Sequence, residues 1–183
     1  MNLKVDLSNY DNHWYNPGSI FKRNSWYIIN RLFFKSSWII SSSIKTFWLK
    51  LFGAKIGKGV VIKPNVDIKY PWKLKIGNHC WIGQNVWIIN LDQVTLEDNI
   101  CVSQGAMLMC GNHNYKRVSF DLMIAPIYIE EGSWIGANST VGPGVLVGSH
   151  AVLCLGAVAY KNLKAYTIYS GSPAMPLKKR EIL

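Results

Sequence analysis

Apolar positions in this chain recur every six residues from Ile56 to about Lys164. Aliphatic side chains stand at Ile56, Ile62 and Ile68, then at Ile76, Ile82 and Ile88, then at Leu96, Val102 and Leu108. After a gap the count resumes at Ile129, Ile135 and Val141 and closes at Val147, Leu153 and Ala159. Four places after most of them comes a compact residue: Val60, Val66, Cys80, Val86, Ile100, Ala106, Ser133, Ser139, Val145, Ala151 and Ala157. A period of six fits neither a helix nor a flat strand. It predicts an all-β parallel β-helix of hexapeptide repeats, with three hexads per triangular coil of about 18 residues. Coils of this kind stack at the inter-strand spacing of about 4.8 Å. Five coils are expected, each burying its core only against its neighbours. Glycine follows the aliphatic at Gly57, Gly77, Gly83, Gly136, Gly142 and Gly148, and glycine and asparagine are expected at corners that need positive φ.

The repeat breaks three times. Two extra residues separate Ile68 from Ile76 and Ile88 from Leu96, and fifteen separate Leu108 from Ile129. Every break follows the third hexad of its coil, so the breaks stack along one edge of the prism. The compact position fails in the same hexads, where Trp72, Asp92 and Asn112 stand. An edge that alone accepts irregularity is expected to carry function. The longest break makes an exposed loop at 111–126, and long ordered loops on repetitive scaffolds often hold binding or catalytic residues.

Ahead of the repeat, Met1 to Pro17 shows no usable period, whereas Ser19 to Phe52 is dense in aromatic and aliphatic residues. Lys22, Arg23, Arg31, Lys35, Lys45 and Lys50 interrupt it, with no acid at all. The stripe Ile29, Phe33, Ile40, Ile44, Phe47, Leu51 predicts one or two amphipathic helices, broken near Ser41-Ser42-Ser43. Such helices either cover the open end or side of the solenoid, or a neighbouring subunit, or lie in a membrane interface. Arg31 and Lys35 argue against a spanning helix. The organisation is therefore a helical extension at 1–52, the β-helix at 53–164 with its loop at 111–126, and a tail at 165–183. The tail leaves the prism through Gly171-Ser172-Pro173-Ala174.

Twenty basic residues against ten acidic ones give a net charge of +10, a field that favours anionic partners such as phosphorylated cofactors or acidic lipids. The lysines are dispersed and no nucleic-acid motif appears, which argues against nucleic acid. Cys80, Cys101, Cys110 and Cys154 form no C-x-x-C pair, so no metal is expected, and Cys80 falls on an inward position as a buried thiol. No cleavable signal segment is visible at the start. A reducing cytoplasm is the expected location, peripheral on the inner membrane face if the helices bind lipid.

Histidine has the side chain best suited to proton transfer at neutral pH. His79 and His150 fall on solvent-facing corners and His13 precedes the helices. His113, in the loop sequence Asn112-His113-Asn114-Tyr115, is the candidate catalytic residue. On the broken edge Trp72, Asn90, Asp92 and Asn112 are candidate binding residues, offering an aromatic face and polar groups.

The Ile-Gly-x-x-Val hexads, the Asn-His loop, the block Trp134-Ile135-Gly136-Ala137 and the ending Gly171-Ser172-Pro173-Ala174 together resemble the hexapeptide-repeat acyltransferases. Phe52-Gly53-Ala54-Lys55-Ile56-Gly57, Pro71-Trp72 and the loop from His113 to Pro126 are similar to the colanic acid biosynthesis acetyltransferase group in particular, relatives of the maltose and galactoside acetyltransferases. The resemblance implies a left-handed β-helix, an exception to the usual right-handed crossover, assembled as a homotrimer. It implies acetyl-CoA in the groove between neighbouring prisms, with His113 as general base for an O-acetyltransferase acting on a free or lipid-linked sugar. Cofactor contacts are then expected at Trp134, Gly136, Ala137, Gly156, Ala157, Lys161 and Lys178. Several relatives have serine where this chain has Ala137, which leaves only a backbone N–H there for an oxyanion. An N-acetyltransferase on an amino sugar and a non-catalytic scaffold are the alternatives. A zinc-dependent carbonic anhydrase on the same prism would need three histidines, and only His113 lies in the right region.

Overall fold

A computed structural model describes residues 4–183. The six-residue period builds three parallel sheets that form the faces of a triangular prism. The first face stacks Lys55–Ile56, Leu74–Ile76, Val94–Leu96, Ile127–Ile129 and Leu146–Val147. The second stacks Val61–Ile62, Trp81–Ile82, Cys101–Val102, Trp134–Ile135, Val152–Leu153 and Thr167–Ser170. The third stacks Asp67–Ile68, Trp87–Ile89, Met107–Met109, Thr140–Val141 and Val158–Ala159. The second edge joins the second face to the third, and the third edge leads from the third face into the next coil.

The aliphatic positions from Ile62 onward are all buried, Ile56 is partly so, and the compact positions, Cys80 included, lie beside them in the core. At the third edge the inward slot is not lost, as the count had suggested. It is displaced past each insertion and filled by Leu74, Val94 and Ile127, all buried two places before the next aliphatic. Counting backward from that aliphatic restores the frame.

Glycine has two separate duties, and only one of them concerns φ. Gly136 has no positive φ, yet a Cβ there would stand 2.6 Å from the Leu153 carbonyl oxygen and the Leu155 nitrogen of the next coil. The glycines directly after the aliphatics are thus explained by close approach of stacked backbones, not by corner conformation. Left-handed corners fall two residues later, at Gly132 (φ +67°) or at asparagine and histidine, as in Asn138 and His150.

Two helices precede the prism: α1, Ile20–Ile29 with Ser19 as its cap, continued by a wider turn over Asn30–Phe34, and α2, Ser42–Leu51 capped by Ser41. Ser41 therefore starts the second helix, and the break lies before it, at residues 35–41. Of the destinations open from the sequence, packing on the solenoid is observed. Trp26, Phe34 and Leu49 are buried against the first coil, and Trp26 donates its indole N–H to the Ile68 carbonyl at 2.7 Å. Lys45 is wholly buried and donates to the carbonyls of Ile62 (3.2 Å) and Lys63 (2.8 Å). Those carbonyls have no preceding coil to pair with, so α2 ends the stack with side-chain donors. Burial lowers the Lys45 ammonium to about 8.

Past Ala159, the bridge of Leu163 to Val147 and the strand Thr167–Ser170 add a partial sixth coil to the five expected. Met175–Lys179 folds back antiparallel on that strand. Arg180 donates to the carbonyls of Gly132 (2.9 Å) and His150 (3.1 Å), tying the tail to earlier coils.

Candidate active site

The loop after Met109 begins as a small hairpin, Gly111–His113 pairing antiparallel with Leu122–Ile124. The hairpin lifts His113 off the third edge. Its Nδ1 lies 2.9 Å from the Phe120 carbonyl oxygen, and its ring stacks on the Phe120 ring with centroids 4.5 Å apart and planes within 8°. A carbonyl can only accept, so Nδ1 carries a proton, and in the neutral ring the lone pair is on Nε2. Phe120 holds this pose from a left-handed backbone (φ +52°), a conformation a bulky residue adopts only where its surroundings fix it. The Asn112 side chain accepts from the His113 N–H at 2.8 Å.

The amino-terminal arm completes the support. Asp6 N–H donates to Val118 O at 2.9 Å, and the Tyr10 ring lies 5.9 Å from the His113 ring. Tyr15 donates to the Leu91 carbonyl at 2.8 Å, and Lys73 donates to the same oxygen at 2.6 Å. Gly18 lies against the Trp72 ring. The arm thus follows the broken edge from the third coil to the first. The sequence showed no period in that arm, and Tyr10, Tyr15 and Phe120 went unread. The aromatic residues Tyr10, Trp14 and Tyr15 within this aperiodic stretch were the available signal. Burial raises the Tyr15 phenol and lowers the Lys73 ammonium. Burial also pushes the Cys110 thiol up to about 11, leaving it protonated and unreactive at neutral pH.

The other expected residues separate into groups. Asp92 is half-exposed on the third edge, with Oδ1 accepting from Gln93 N–H, and Asn112 is exposed beside His113. A cavity of about 250 Å³ opens there, lined by Asn112, Met123, Ala125, Pro143 and Tyr160. Asn90 lies inside the wall: it is fully buried, accepts from Tyr70 N–H and donates to the carbonyls of Tyr70 and Lys73. Trp72 is sandwiched, with the Tyr70 ring 5.1 Å away and the Lys22 ammonium 4.6 Å above it. Both brace the edge from within.

Trp134, Gly136, Ala137, Gly156 and Ala157 gather on the second face and second edge, and Lys178 lies on the strand that extends that face. Lys161 stands apart on the third edge. Trp134 is exposed and its indole donates to Ser103 Oγ at 2.8 Å. Gly136 and Ala157 spend their amides within the prism, on Leu153 O and Cys154 O, and their carbonyls accept from Ser139 and Thr140. Ala137 N–H donates to no backbone carbonyl among the described residues, and beside Gly156 the space is open. Among the expected residues on this edge, the backbone groups left without a backbone partner are therefore Ala137 N–H and Gly156 C=O.

His113 and Ala137 stand on different edges of the prism. The whole third face lies between their edges, six residues of extended backbone or roughly 20 Å.

The chain is 38% identical to WcaF of Escherichia coli (strain K12), which carries the name colanic acid biosynthesis acetyltransferase, over 136 residues covering 74% of this chain and 75% of the relative. It belongs to the hexapeptide-repeat acetyltransferase family. The family model described as the hexapeptide repeat of succinyl-transferase matches residues 73–110 and 126–160, on either side of the loop. Galactoside O-acetyltransferase of Escherichia coli (strain K12) is 24% identical over 72% of this chain and 66% of its own length. Among solved structures, a hexapeptide-repeat containing acetyltransferase from Vibrio cholerae, complexed with acetyl coenzyme A, matches with a TM-score of 0.81 at 20% identity. The match covers 91% of this chain and 93% of that one. Galactoside acetyltransferase in complex with coenzyme A matches with a TM-score of 0.77 at 22% identity, over 88% and 82%. At those identities the structural likeness speaks for the fold.

Proposed function

We propose that this protein transfers an acetyl group from acetyl-CoA to a sugar hydroxyl, in building a bacterial exopolysaccharide or surface glycan, with His113 as general base. The observation that carries the proposal is the fixed tautomer of His113. With Nδ1–H held on Phe120 O, Nε2 accepts the proton of the sugar hydroxyl as its oxygen attacks the thioester carbon. The carbonyl oxygen becomes an oxyanion, for which Ala137 N–H is the donor. Collapse of the intermediate breaks the C–S bond, and the departing thiolate recovers the proton from the imidazolium. No acyl-enzyme forms, in keeping with the protonated Cys110. Asp92 and Asn112 sit on the His113 edge and serve the acceptor. Trp134 and Lys178 on the second face and its extension, and Gly156 on the Ala137 edge, serve the donor.

The separation of the two edges supports a site built between subunits of a homotrimer, each interface joining one third edge to one second edge. Relatives named for colanic acid and galactoside acetylation support the sugar acceptor, and neighbours solved with acetyl-CoA and CoA support the donor. The outer sides of α1 and α2 leave Phe21, Ile28, Leu32, Phe47 and Leu51 exposed among Lys22, Arg31, Lys35 and Lys50. That mixture suits peripheral contact with an anionic membrane carrying lipid-linked acceptors, and no described helix is long and apolar enough to cross one.

The test is His113→Ala, assayed with labelled acetyl-CoA over a panel of nucleotide sugars and lipid-linked oligosaccharides. Turnover should fall by about 10²- to 10⁴-fold with acetyl-CoA affinity unchanged. Full turnover in the folded variant would remove His113 from the mechanism.

A further inference from the structure

A second cavity, of about 400 Å³, lies between α1 and the first two coils of the third face. None of its lining residues belongs to the His113 loop or to the second edge. Four cations, Arg23, Arg31, Lys35 and Lys69, line it against the single carboxylate of Asp67. Only Lys35 is spent on that carboxylate, at 2.7 Å. Two polar atoms on the lining residues have no partner among the described residues. Arg23 Nε is buried without an acceptor, and Asn30 Oδ1 is buried without a donor on a side chain only 7% exposed. The Asn30 amide is oriented by its other end, since Nδ2 donates to Asp67 Oδ1 at 2.7 Å. Trp87 forms part of the wall with 44% of its surface open, next to Asp67 in the strand ladder.

These atoms ask for a ligand with two kinds of group. Leaving a buried donor and a buried acceptor unsatisfied costs the full desolvation of each, which a ligand that pairs both would recover. Arg23 Nε and the Arg31 guanidinium call for an oxyanion, and guanidinium forks match phosphate geometry. Asn30 Oδ1 and Asp67 call for hydroxyl donors. The open face of Trp87 offers a platform for an apolar ring face. A bare anion would leave Asn30 Oδ1 unpaired, and a neutral sugar would leave Arg23 Nε unpaired.

The geometry points to a binding site for a glycosyl phosphate, with the phosphate on Arg23 and Arg31 and the sugar on Trp87, Asn30 and Asp67. Its binding chemistry stands apart from acetyl transfer. It rests on the proposed function only in taking the bound group as the phosphorylated end of the acceptor. The placement suits that role, because Asp67, Trp87 and Met107 are successive rungs of one ladder. Asp67 is thus about 10 Å along the axis from the coil that carries His113. Phe21 and Ile28 on α1 and Leu32 in the turn that continues it, all exposed, would lie beside a lipid attached to the same phosphate.

Calorimetry on the full chain, without acetyl-CoA, tests the site with glucose 1-phosphate, inorganic phosphate and glucose. Glucose 1-phosphate should bind saturably, at least about tenfold more tightly than either half alone. Arg31→Gln should weaken it by about tenfold, and Trp87→Ala should reduce it to the affinity of inorganic phosphate. Saturating acetyl-CoA should leave the affinity unchanged. UDP-glucose and polyprenyl phosphate glucose in phosphatidylcholine vesicles separate the sources, the tighter of the two naming the physiological carrier. Equality of both with glucose 1-phosphate would assign a free sugar phosphate. Absence of saturable binding, phosphate binding as well as glucose 1-phosphate, indifference to both substitutions, or displacement by acetyl-CoA would each overturn the site. Loss of binding with transfer intact fails this proposal alone, and binding with a fully active His113→Ala variant fails only the proposed mechanism.

Discussion

The second and third edges of this prism are made from the same hexad and behave in opposite ways. Along the second edge, Gly83 and Gly136 let the next coil's backbone come so close that a Cβ would stand 2.6–2.7 Å from main-chain atoms. Along the third, the residues after the aliphatics of the first three coils are Lys69, Ile89 and Met109, and there the chain bulges outward by two, two and fifteen residues, while Gly142 returns in the fourth coil, where the repeat is unbroken. The second edge presents backbone groups in fixed places, such as Ala137 N–H. The third presents side chains, His113, Asp92 and Asn112. A rigid repeat can offer a dipole at a set position, but an imidazole lifted off the wall needs an insertion to carry it and a second layer to hold it. Here that layer is Phe120 and the amino-terminal arm.

The regular edge must also be ended, and this gives the largest expected effect. Lys45 supplies donors to Ile62 and Lys63 carbonyls, which open the second edge. Its folded pKa, about 8, lies below its ordinary 10.5 because burial disfavours the cation. Below about pH 8 both folded and unfolded chains hold that proton, and the folded chain carries the full cost of the buried charge. Between about pH 8 and 10.5 the unfolded chain binds more protons, so stability rises with pH. The rise should reach at most about 3 kcal/mol in urea titrations and be absent in Lys45→Met. A parallel rise in that variant would contradict the assignment.

Next in size is the contrast between the edges themselves. Gly136→Ala should cost about 1–3 kcal/mol, since main chain and not a flexible side chain must yield. Two glycines inserted after Asp92, on the bulged edge, should cost under about 1 kcal/mol. Equal losses in thermal melts would mean that the third edge is as tightly stacked as the second.

The sequence made the prism legible because a strict spatial period leaves a strict chemical one. Each inward residue is chosen by the same space, so Ile62 and Leu153 announce the same environment ninety-one residues apart. His113 was legible through the failure of that period. The displaced slots at Leu74, Val94 and Ile127 were not, because forward counting loses its frame at an insertion. The arm around Tyr10 and Tyr15 was illegible for a deeper reason: it is ordered by contacts with residues far along the chain, and such contacts impose no period. Asn90 and Trp72 show the reverse error, since polar and aromatic residues on a functional edge can be structural supports. Ala137 kept its place as a candidate only because its N–H, unlike those of Gly136 and Ala157, is unspent.

The central claim is that a site divided between two edges is completed by a neighbouring copy. Subunit mixing tests it most directly. His113→Ala removes the base from the third edge. Ala137→Pro removes the N–H from the second, at a position where that N–H makes no backbone bond. Each variant alone should be close to inactive while keeping the oligomeric state. When equal amounts are unfolded and reassembled together, about a quarter of the interfaces should pair an intact His113 with an intact Ala137, if three equivalent interfaces form at random. Transfer should recover to about a quarter of the wild-type rate. No recovery in demonstrably mixed oligomers would place both groups in one chain and contradict the account.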